Sequence, residues 1–290
     1  MSVKREYRLG LYEKAMPSDL TWVQKLAAAK DAGYDFVEIS IDETDGKLSR
    51  LEMIRAERTE LVARMWEQGI FLETMCLSGH RKYPLGSEDG QVRSRGMEIM
   101  EQAVVLARDL GIRIIQLAGY DEYYRPSNEN TARFFSENLE KSVETAARYG
   151  VTLAFETMET PFLNTVEKAM YWVRKMNSPY LAVYPDAGNL TNAALTGGGD
   201  VSADIRTGAG HIAALHLKET SPGIFREIPF GTGHVDFPAV IGTAWALGVR
   251  RYTGEFWYVG QDDWRGEIER AARFLREQFD SSVTTQFQKR

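Results

Sequence analysis

The amino-acid sequence predicts a single eight-fold β/α barrel, (β/α)8, and three observations carry that expectation. Short apolar runs alternate with amphipathic helical stretches over residues 8–279 with no break in composition, the pattern of parallel strands joined by helical crossovers. The alternation makes eight units, and 290 residues accommodate one barrel of roughly 250 residues without a second domain. No Gly-x-Gly-x-x-Gly turn follows the first strand, which weighs against an open doubly wound sheet with the same alternation.

Each unit reads in order. Arg8-Leu-Gly-Leu-Tyr12 is a strand, and Pro17-Ser-Asp19 starts a helix whose apolar positions (Leu20, Val23, Leu26, Ala27, Ala29) end at Gly33. Glycine suits the left-handed position just past a helix. Phe36-Val-Glu-Ile-Ser40 is the second strand, and polar residues 42–47 lead to a helix over 49–68 closed by Gly69. Ile70-Phe-Leu-Glu-Thr-Met-Cys-Leu77 is the third, followed by a loop over 78–86 and a helix over 87–110 closed by Gly111. Arg113-Ile-Ile-Gln-Leu-Ala118 is the fourth, and a helix over 130–149 ends at Gly150. Val151-Thr-Leu-Ala-Phe-Glu156 is the fifth, with a helix over 164–177 before Pro179. After the sixth strand, Leu181-Ala-Val-Tyr-Pro-Asp186, the pattern loosens into Gly197-Gly-Gly199, and a short helix covers 202–207. Ile212-Ala-Ala-Leu-His216 is the seventh; a long loop over 218–235 reaches a helix from Asp236 to Gly248. Arg251-Tyr-Thr-Gly-Glu255 is the eighth, and a last helix covers 263–279. One domain over 1–290 is expected, with the polar tail 281–290 frayed.

Bulk composition narrows the class. Hydrophobic residues make up 43% and charged residues 26%, ordinary for a soluble globular protein. Lysine and arginine number 35 against 41 acidic residues, and 35 − 41 leaves a net charge of −6, which argues against a nucleic-acid partner. The single cysteine, Cys76, rules out an internal disulfide and suits a reducing cytoplasm. The N-terminus MSVKREYRLG lacks an apolar signal core, and no apolar run reaches the ~18 residues of a membrane span. A cytoplasmic protein without a membrane partner is expected. Homo-oligomerisation is compatible with the composition and not required by it.

Four strand ends stand out. Glu156, Asp186, His216 and Glu255 each close an apolar run, spaced about 30, 30 and 40 residues apart, near the length of one βα unit. In a (β/α)8 barrel the carboxyl ends of the strands carry the active site. Two glutamates, an aspartate and a histidine are a hard N/O donor set for one divalent ion, Zn²⁺, Mn²⁺ or Mg²⁺.

The residues also carry a resemblance. Leu9-Gly-Leu-Tyr-Glu-Lys-Ala15, Asp35-Phe-Val-Glu-Ile-Ser40, Asp42-Glu-Thr-Asp45 and Arg81-Lys-Tyr-Pro-Leu-Gly-Ser-Glu-Asp89 are part of it. Ile114-Ile-Gln-Leu-Ala-Gly-Tyr-Asp121, Tyr184-Pro-Asp-Ala-Gly-Asn-Leu190, Gly210-His-Ile-Ala-Ala-Leu-His-Leu-Lys218 and Pro229-Phe-Gly-Thr-Gly233 extend it over nearly the whole chain. The sequence resembles the xylose-isomerase-like TIM barrel superfamily. Within it, it is similar to the 3-epimerase family of ascorbate utilisation that interconverts L-ribulose 5-phosphate and L-xylulose 5-phosphate. By motif position, the resemblance implies metal ligands at Glu156, Asp186, His216 and Glu255, with Glu156 and Glu255 also the catalytic acid/base pair.

Such an epimerisation needs an acidified C–H beside a ketone, a base on one face and an acid on the other. Glu156 and Glu255, on opposite arcs of the ring, suit that exchange. A phosphosugar partner also needs a cation for its phosphate, and His80, Arg81 and Lys82 after the third strand are candidates, as is Lys218; a solvated loop and a rim lysine are the plainer readings. Glu159 is a candidate for sugar hydroxyls or for capping the next helix, and Asn189 for a substrate contact or a turn. Trp257 and Tyr258 either wall the pocket or pack; Gly197 to Gly199 is a lid segment or a surface loop; Cys76 is expected buried and His234 on the surface. His211 sits five residues before His216 and is expected at the opposite end of the barrel. The rival enzymatic reading is an aldose–ketose isomerase, which the same ion and glutamates would serve. A trinuclear zinc nuclease is disfavoured by the presence of only four histidines, and a non-catalytic sugar-binding barrel by the complete ligand set.

Overall fold

The computed structural model describes residues 6–287, with side chains described through residue 282. Its centre is an eight-stranded parallel sheet: β1 (Arg8–Tyr12), β2 (Phe36–Ile41), β3 (Phe71–Leu77), β4 (Ile114–Ala118), β5 (Thr152–Glu156), β6 (Leu181–Tyr184), β7 (Leu215–Leu217) and β8 (Arg251–Gly254). Neighbours follow sequence order, with β1 paired to β8 and β8 to β7. The ring closes between β6 and β7 through isolated bridges only, Val183 to Ile212 and Asp186 to His216. Three backbone hydrogen bonds cross that seam, from Val183 N to His211 O (2.8 Å), Ala213 N to Val183 O (2.9 Å) and His216 N to Pro185 O (2.8 Å). The expected (β/α)8 TIM barrel is the fold observed.

Ten α-helices surround the sheet among the described residues: α1 (Trp22–Asp31), α2 (Asp45–Leu48), α3 (Arg55–Gln68), α4 (Gly90–Leu110), α5 (Glu129–Arg148), α6 (Val166–Met176), α7 (Ala187–Gly197), α8 (Val201–Thr207), α9 (Phe237–Ala246) and α10 (Trp264–Phe287). None is long and apolar enough to cross a membrane. Their starts follow local hydrogen bonding. Helix α1 begins at Trp22, capped by Thr21 and not by Ser18 or Asp19, because Thr21 and Gln24 form a reciprocal capping box. The stretch over 49–68 divides: α2 and a 3-10 turn precede α3, whose first turn is held by Glu57 accepting from Ile54 N at 2.8 Å. Helix α7 was not foreseen, and Gly198 at φ 69° ends it as a left-handed cap. The triglycine segment is thus a helix stop. The expected frayed tail falls on α10, which is helical to Phe287; Ser282 is buried and its hydroxyl donates to Gln278 O at 2.6 Å. Residues 288–290 of that tail, and residues 1–5 of the N-terminal reading, lie outside the described residues.

Period-two alternation sorts the strand residues. In β2, Val37, Ile39 and Ile41 join the large apolar cluster shared with the helices. Phe36, Glu38 and Ser40 take the other face, inside the barrel. Gly10 of β1 has no room for a side chain, since a Cβ there would lie 2.3 Å from the Phe36 ring; Phe36 lies over the neighbouring strand only because β1 offers bare backbone at its register partner. Above it, Ile114, Ala154, Ala182, Ala214 and Tyr184 form an inner apolar layer. The next layer is polar, and it supports the site.

Candidate metal centre and active site

The carboxyl ends of β5, β6, β7 and β8 build the centre. Asp186 follows β6 by two residues and caps α7, its Oδ1 accepting from Asn189 N at 2.6 Å. Its own amide donates to the Thr157 hydroxyl at 3.0 Å, which ties it to the end of β5. One oxygen is used by the cap, and Oδ2 is left sealed from solvent without a hydrogen-bond partner. Gly188 in the first turn of α7 lets the helix seat against β7, because a Cβ there would meet Thr220 at 2.5 Å and the Lys218 carbonyl at 2.9 Å.

His216, in the middle of β7, is fully buried and is held from below. Its Nε2 lies 2.6 Å from Glu38 Oε1, and the other Glu38 oxygen accepts from Thr74 (2.6 Å) and from the Tyr184 hydroxyl (3.0 Å). The Tyr184 hydroxyl is also 2.7 Å from Thr253, and its ring stands edge-on to the imidazole at 4.7 Å. With Nε2 committed to Glu38, the upper nitrogen Nδ1 faces the carboxylates: Glu255 Oε2 at 3.2 Å, Glu156 Oε1 at 3.8 Å and Asp186 Oδ2 at 3.9 Å. One ligand-competent atom from each of Glu156, Asp186, His216 and Glu255 lies within 4.8 Å of the others.

These residues fit a divalent ion by an observation independent of resemblance. Asp186 Oδ2 and Glu255 Oε2 are buried acceptors with no hydrogen-bond partner, a costly state unless a cation satisfies them. A histidine backed by a carboxylate is the arrangement that fixes a ligand's tautomer. Without an ion the four groups strain one another. Burial pushes Asp186 up to about 8, only partly offset by Lys218. Burial likewise raises Glu156, against a lowering by His216. Glu255 is held below the usual carboxylate range, because Lys218 and His216 outweigh its burial. For His216, burial disfavours the charged form, but Glu38 and Glu255 outweigh it and hold the imidazole well above its ordinary value.

A cavity opens onto this cluster, lined by Glu156 and Glu255 together with Tyr12, Lys14, Cys76, Ser78, Arg81, Met158, Glu159, Asn189, Lys218, Phe225, Arg226 and Trp257. Of the expected substrate residues, Arg81, Glu159, Asn189 and Lys218 are therefore at the cavity, as is Trp257. Lys218 is engaged at the inner end, donating to Asn189 Oδ1 at 2.8 Å and lying 3.1 Å from Asp186 and 3.6 Å from Glu255. Asn189 is anchored by donating to Thr157 O at 2.8 Å.

Two candidates are placed elsewhere. His80 is buried with Nε2 3.0 Å from Gly96 O, and burial lowers its pKa to about 4, leaving a neutral ring turned into α4. Lys82 is exposed and packs over Tyr83 at 5.4 Å. Tyr258 does not line the cavity; its amide donates to Lys14 O at 2.7 Å. Cys76 is buried as expected, at the cavity wall. His211 is exposed, and His234 is half-buried with Nε2 3.0 Å from the Thr220 hydroxyl.

The sequence reading missed Glu38, Tyr12, Phe225 and Arg226. Glu38 had a signal, a carboxylate in the middle of an otherwise apolar run. Glu38→Gln keeps the shape but removes the anion that fixes His216. Metal affinity is expected to fall about 10- to 100-fold, read by competition with a chromogenic chelator; an unchanged affinity would exclude that positioning role.

Comparison with known proteins agrees with the architecture. The profile of the xylose isomerase-like TIM barrel family matches residues 26–278. The L-ribulose-5-phosphate 3-epimerase UlaE of Escherichia coli (strain SMS-3-5 / SECEC) is 44% identical over 275 residues, 94% of this chain and 95% of that protein. The same figures hold for its counterpart in Shigella boydii serotype 18. Among solved structures, an L-ribulose 3-epimerase superposes with a TM-score of 0.76 at 21% identity, covering 96% of both chains. A D-psicose 3-epimerase superposes at 0.77 and 17%, over 94% of this chain and 99% of that one. The chain belongs to the xylose isomerase-like TIM barrel family. Within that family its kinship is with the L-ribulose-5-phosphate 3-epimerases, and it is by class an isomerase.

Proposed function

We propose that this protein is a divalent-metal-dependent 3-epimerase interconverting L-ribulose 5-phosphate and L-xylulose 5-phosphate, with Glu156 and Glu255 as its acid/base pair. The observation that carries the reading is the convergence of two glutamates, Asp186 and the Glu38-backed His216 at the mouth of the barrel. The names of the 44% identical relatives support the substrate. Zn²⁺, Mn²⁺ or Mg²⁺ held by Glu156, Asp186, His216 and Glu255 would supply Lewis-acid polarisation of the C2 carbonyl, which acidifies C3–H.

The rest of the chemistry belongs to the chain. One glutamate takes the C3 proton from its face, and the other delivers a proton to the opposite face; in the reverse direction their roles exchange. Both are 5% exposed, so proton transfer takes place largely out of bulk water. Lys218 neutralises carboxylate charge at the inner end and holds Asn189 toward the cavity. Trp257, edge-on to Tyr12 at 6.2 Å, closes one wall.

Incubation with L-ribulose 5-phosphate in D₂O tests the reading. Deuterium at C3 together with formation of L-xylulose 5-phosphate is the expected result. Deuterium at C1 with an aldose product would replace it with the aldose–ketose isomerase.

A further inference from the structure

Strand β3 breaks step once, below the candidate centre. Phe36 pairs with Phe71 and Val37 with Leu72, but Glu38, the next residue of β2, pairs with Thr74. One step on β2 thus spans two on β3, and Glu73 is the extra residue of a β-bulge, a feature rare between parallel strands. Side-chain direction agrees with the count. Leu72, Met75 and Leu77 all join the apolar cluster shared with the helices, although strict alternation would send Leu72 and Met75 to opposite faces. Past the bulge Thr74 turns inward and donates to Glu38 Oε2 at 2.6 Å, while Glu38 Oε1 lies 2.6 Å from His216 Nε2.

The Glu73 side chain crosses the amino end of the barrel. It passes β2 and accepts from Arg8 at the start of β1, from Nε at 3.2 Å and from Nη2. It also accepts from Arg251 at the start of β8, from Nε at 3.2 Å and Nη2 at 3.1 Å. Arg8 and Arg251 are register partners on adjacent strands, so two like charges stand side by side, and the Glu73 carboxylate bridges them. A bulge is one surplus residue and can shift along its strand. One step toward the carboxyl end would set Glu73 opposite Glu38, two carboxylates together, and leave Thr74 unpaired with its hydroxyl withdrawn from Glu38. We infer that the Arg8–Glu73–Arg251 clamp pins the bulge, which makes Glu73 a positioning residue for the proposed ligand His216, acting through Thr74 and Glu38. The inference rests on the metal-centre reading above and adds residues that do not line the cavity.

The test compares Glu73→Gln with a full chain from which residue 73 alone is deleted. Both lose the clamp. Only Glu73→Gln keeps the surplus residue, whereas the deletion leaves a regular ladder with Thr74 still opposite Glu38. Competition with a chromogenic chelator reads Zn²⁺ affinity, and the melting temperature reads stability. Glu73→Gln is expected to bind Zn²⁺ about 2- to 30-fold more weakly than the parent, the range for a residue that acts through others. The deletion should melt lower than the parent yet bind Zn²⁺ with near-parental affinity. In a Thr74→Val background Glu73→Gln should cost little further affinity, because the route is already cut. Asp109→Asn, which breaks the Arg58 ion pair at the same end of the barrel, should lower the melting temperature alone. Parental Zn²⁺ affinity in Glu73→Gln, or an equal loss in the deletion, would overturn the clamp while leaving the metal centre standing. A parent that takes up no Zn²⁺ would remove both. Should the deletion fail to fold, the Thr74→Val background decides: full additivity of the two losses excludes the route.

Discussion

Replacing Glu156 or Glu255 with glutamine is expected to lower epimerisation by about 10² to 10⁴-fold, the range for loss of a positioned acid or base. Glutamine keeps an oxygen in place, so metal content should drop only moderately. The diagnostic result is in proton exchange. Each variant retains one competent glutamate, which can remove the C3 proton of one epimer and return it to the same face. One variant should therefore wash deuterium into L-ribulose 5-phosphate, the other into L-xylulose 5-phosphate, and neither should invert the centre efficiently. A single-base enzyme would behave differently: one variant silent toward both epimers, the other impaired only as far as its metal is lost. Near-parental epimerisation by either fully metallated variant would end the paired assignment.

The second large effect is expected on removing the ion. Chelation should abolish turnover, and re-addition of Mn²⁺, Zn²⁺ or Mg²⁺ should restore it. Binding to the folded state alone adds about 2.7 kcal/mol of stability at one hundred times the dissociation constant. This gain should depend on pH. In the metal-free protein, burial raises Asp186 from its usual 3.8 to about 8 and raises Glu156 as well. A carboxyl group whose folded pKa is raised costs nothing below its ordinary pKa, and the cost grows as pH climbs through the folded value. Metal-free protein should thus lose stability from these groups as pH rises toward about 8. An ion takes the proton's place, so the rise in melting temperature on metal addition should be larger at high pH than near pH 6. An equal shift at both would separate the ion from these carboxylates.

Much of this was legible from the chain. Glu156, Asp186, His216 and Glu255 announce themselves because each interrupts an apolar run at its carboxyl end, where a barrel places chemistry. Glu38 does not. It sits mid-strand, and only the closing of the ring reveals that it faces His216 across 178 positions of sequence. Arg226 belongs to an aperiodic segment, held in shape by Asn192 accepting from Gly223 N and by Glu219 accepting from Gly231 and Val235, contacts that no local pattern encodes. Helix α7 was hidden by its first six residues, Ala-Gly-Asn-Leu-Thr-Asn, among which Gly, Asn and Thr are weak helix formers. Its N-cap is Asp186, which closes an apolar run and whose carboxylate also faces the candidate metal site. His80 and Lys82 flank Arg81 in sequence, yet a short 3-10 turn over Gly79–Arg81 disperses the three side chains, and only Arg81 reaches the cavity.

The seam between β6 and β7 has a consequence for how the molecule breathes. Elsewhere adjacent strands are zipped by regular ladders, and opening one of those requires several bonds to break together. At the seam two isolated bridges stand in for a ladder, so the ring is expected to open there first. Asp186 and His216 form one of those bridges. Opening the seam would separate Asp186 from His216, two of the proposed ligands, so the free energy of that local opening would set the cost of disassembling the proposed centre. The amides of Ala213 and His216 cross the gap, and their rates of exchange with solvent deuterium act as a gauge of how much of the time the centre is whole.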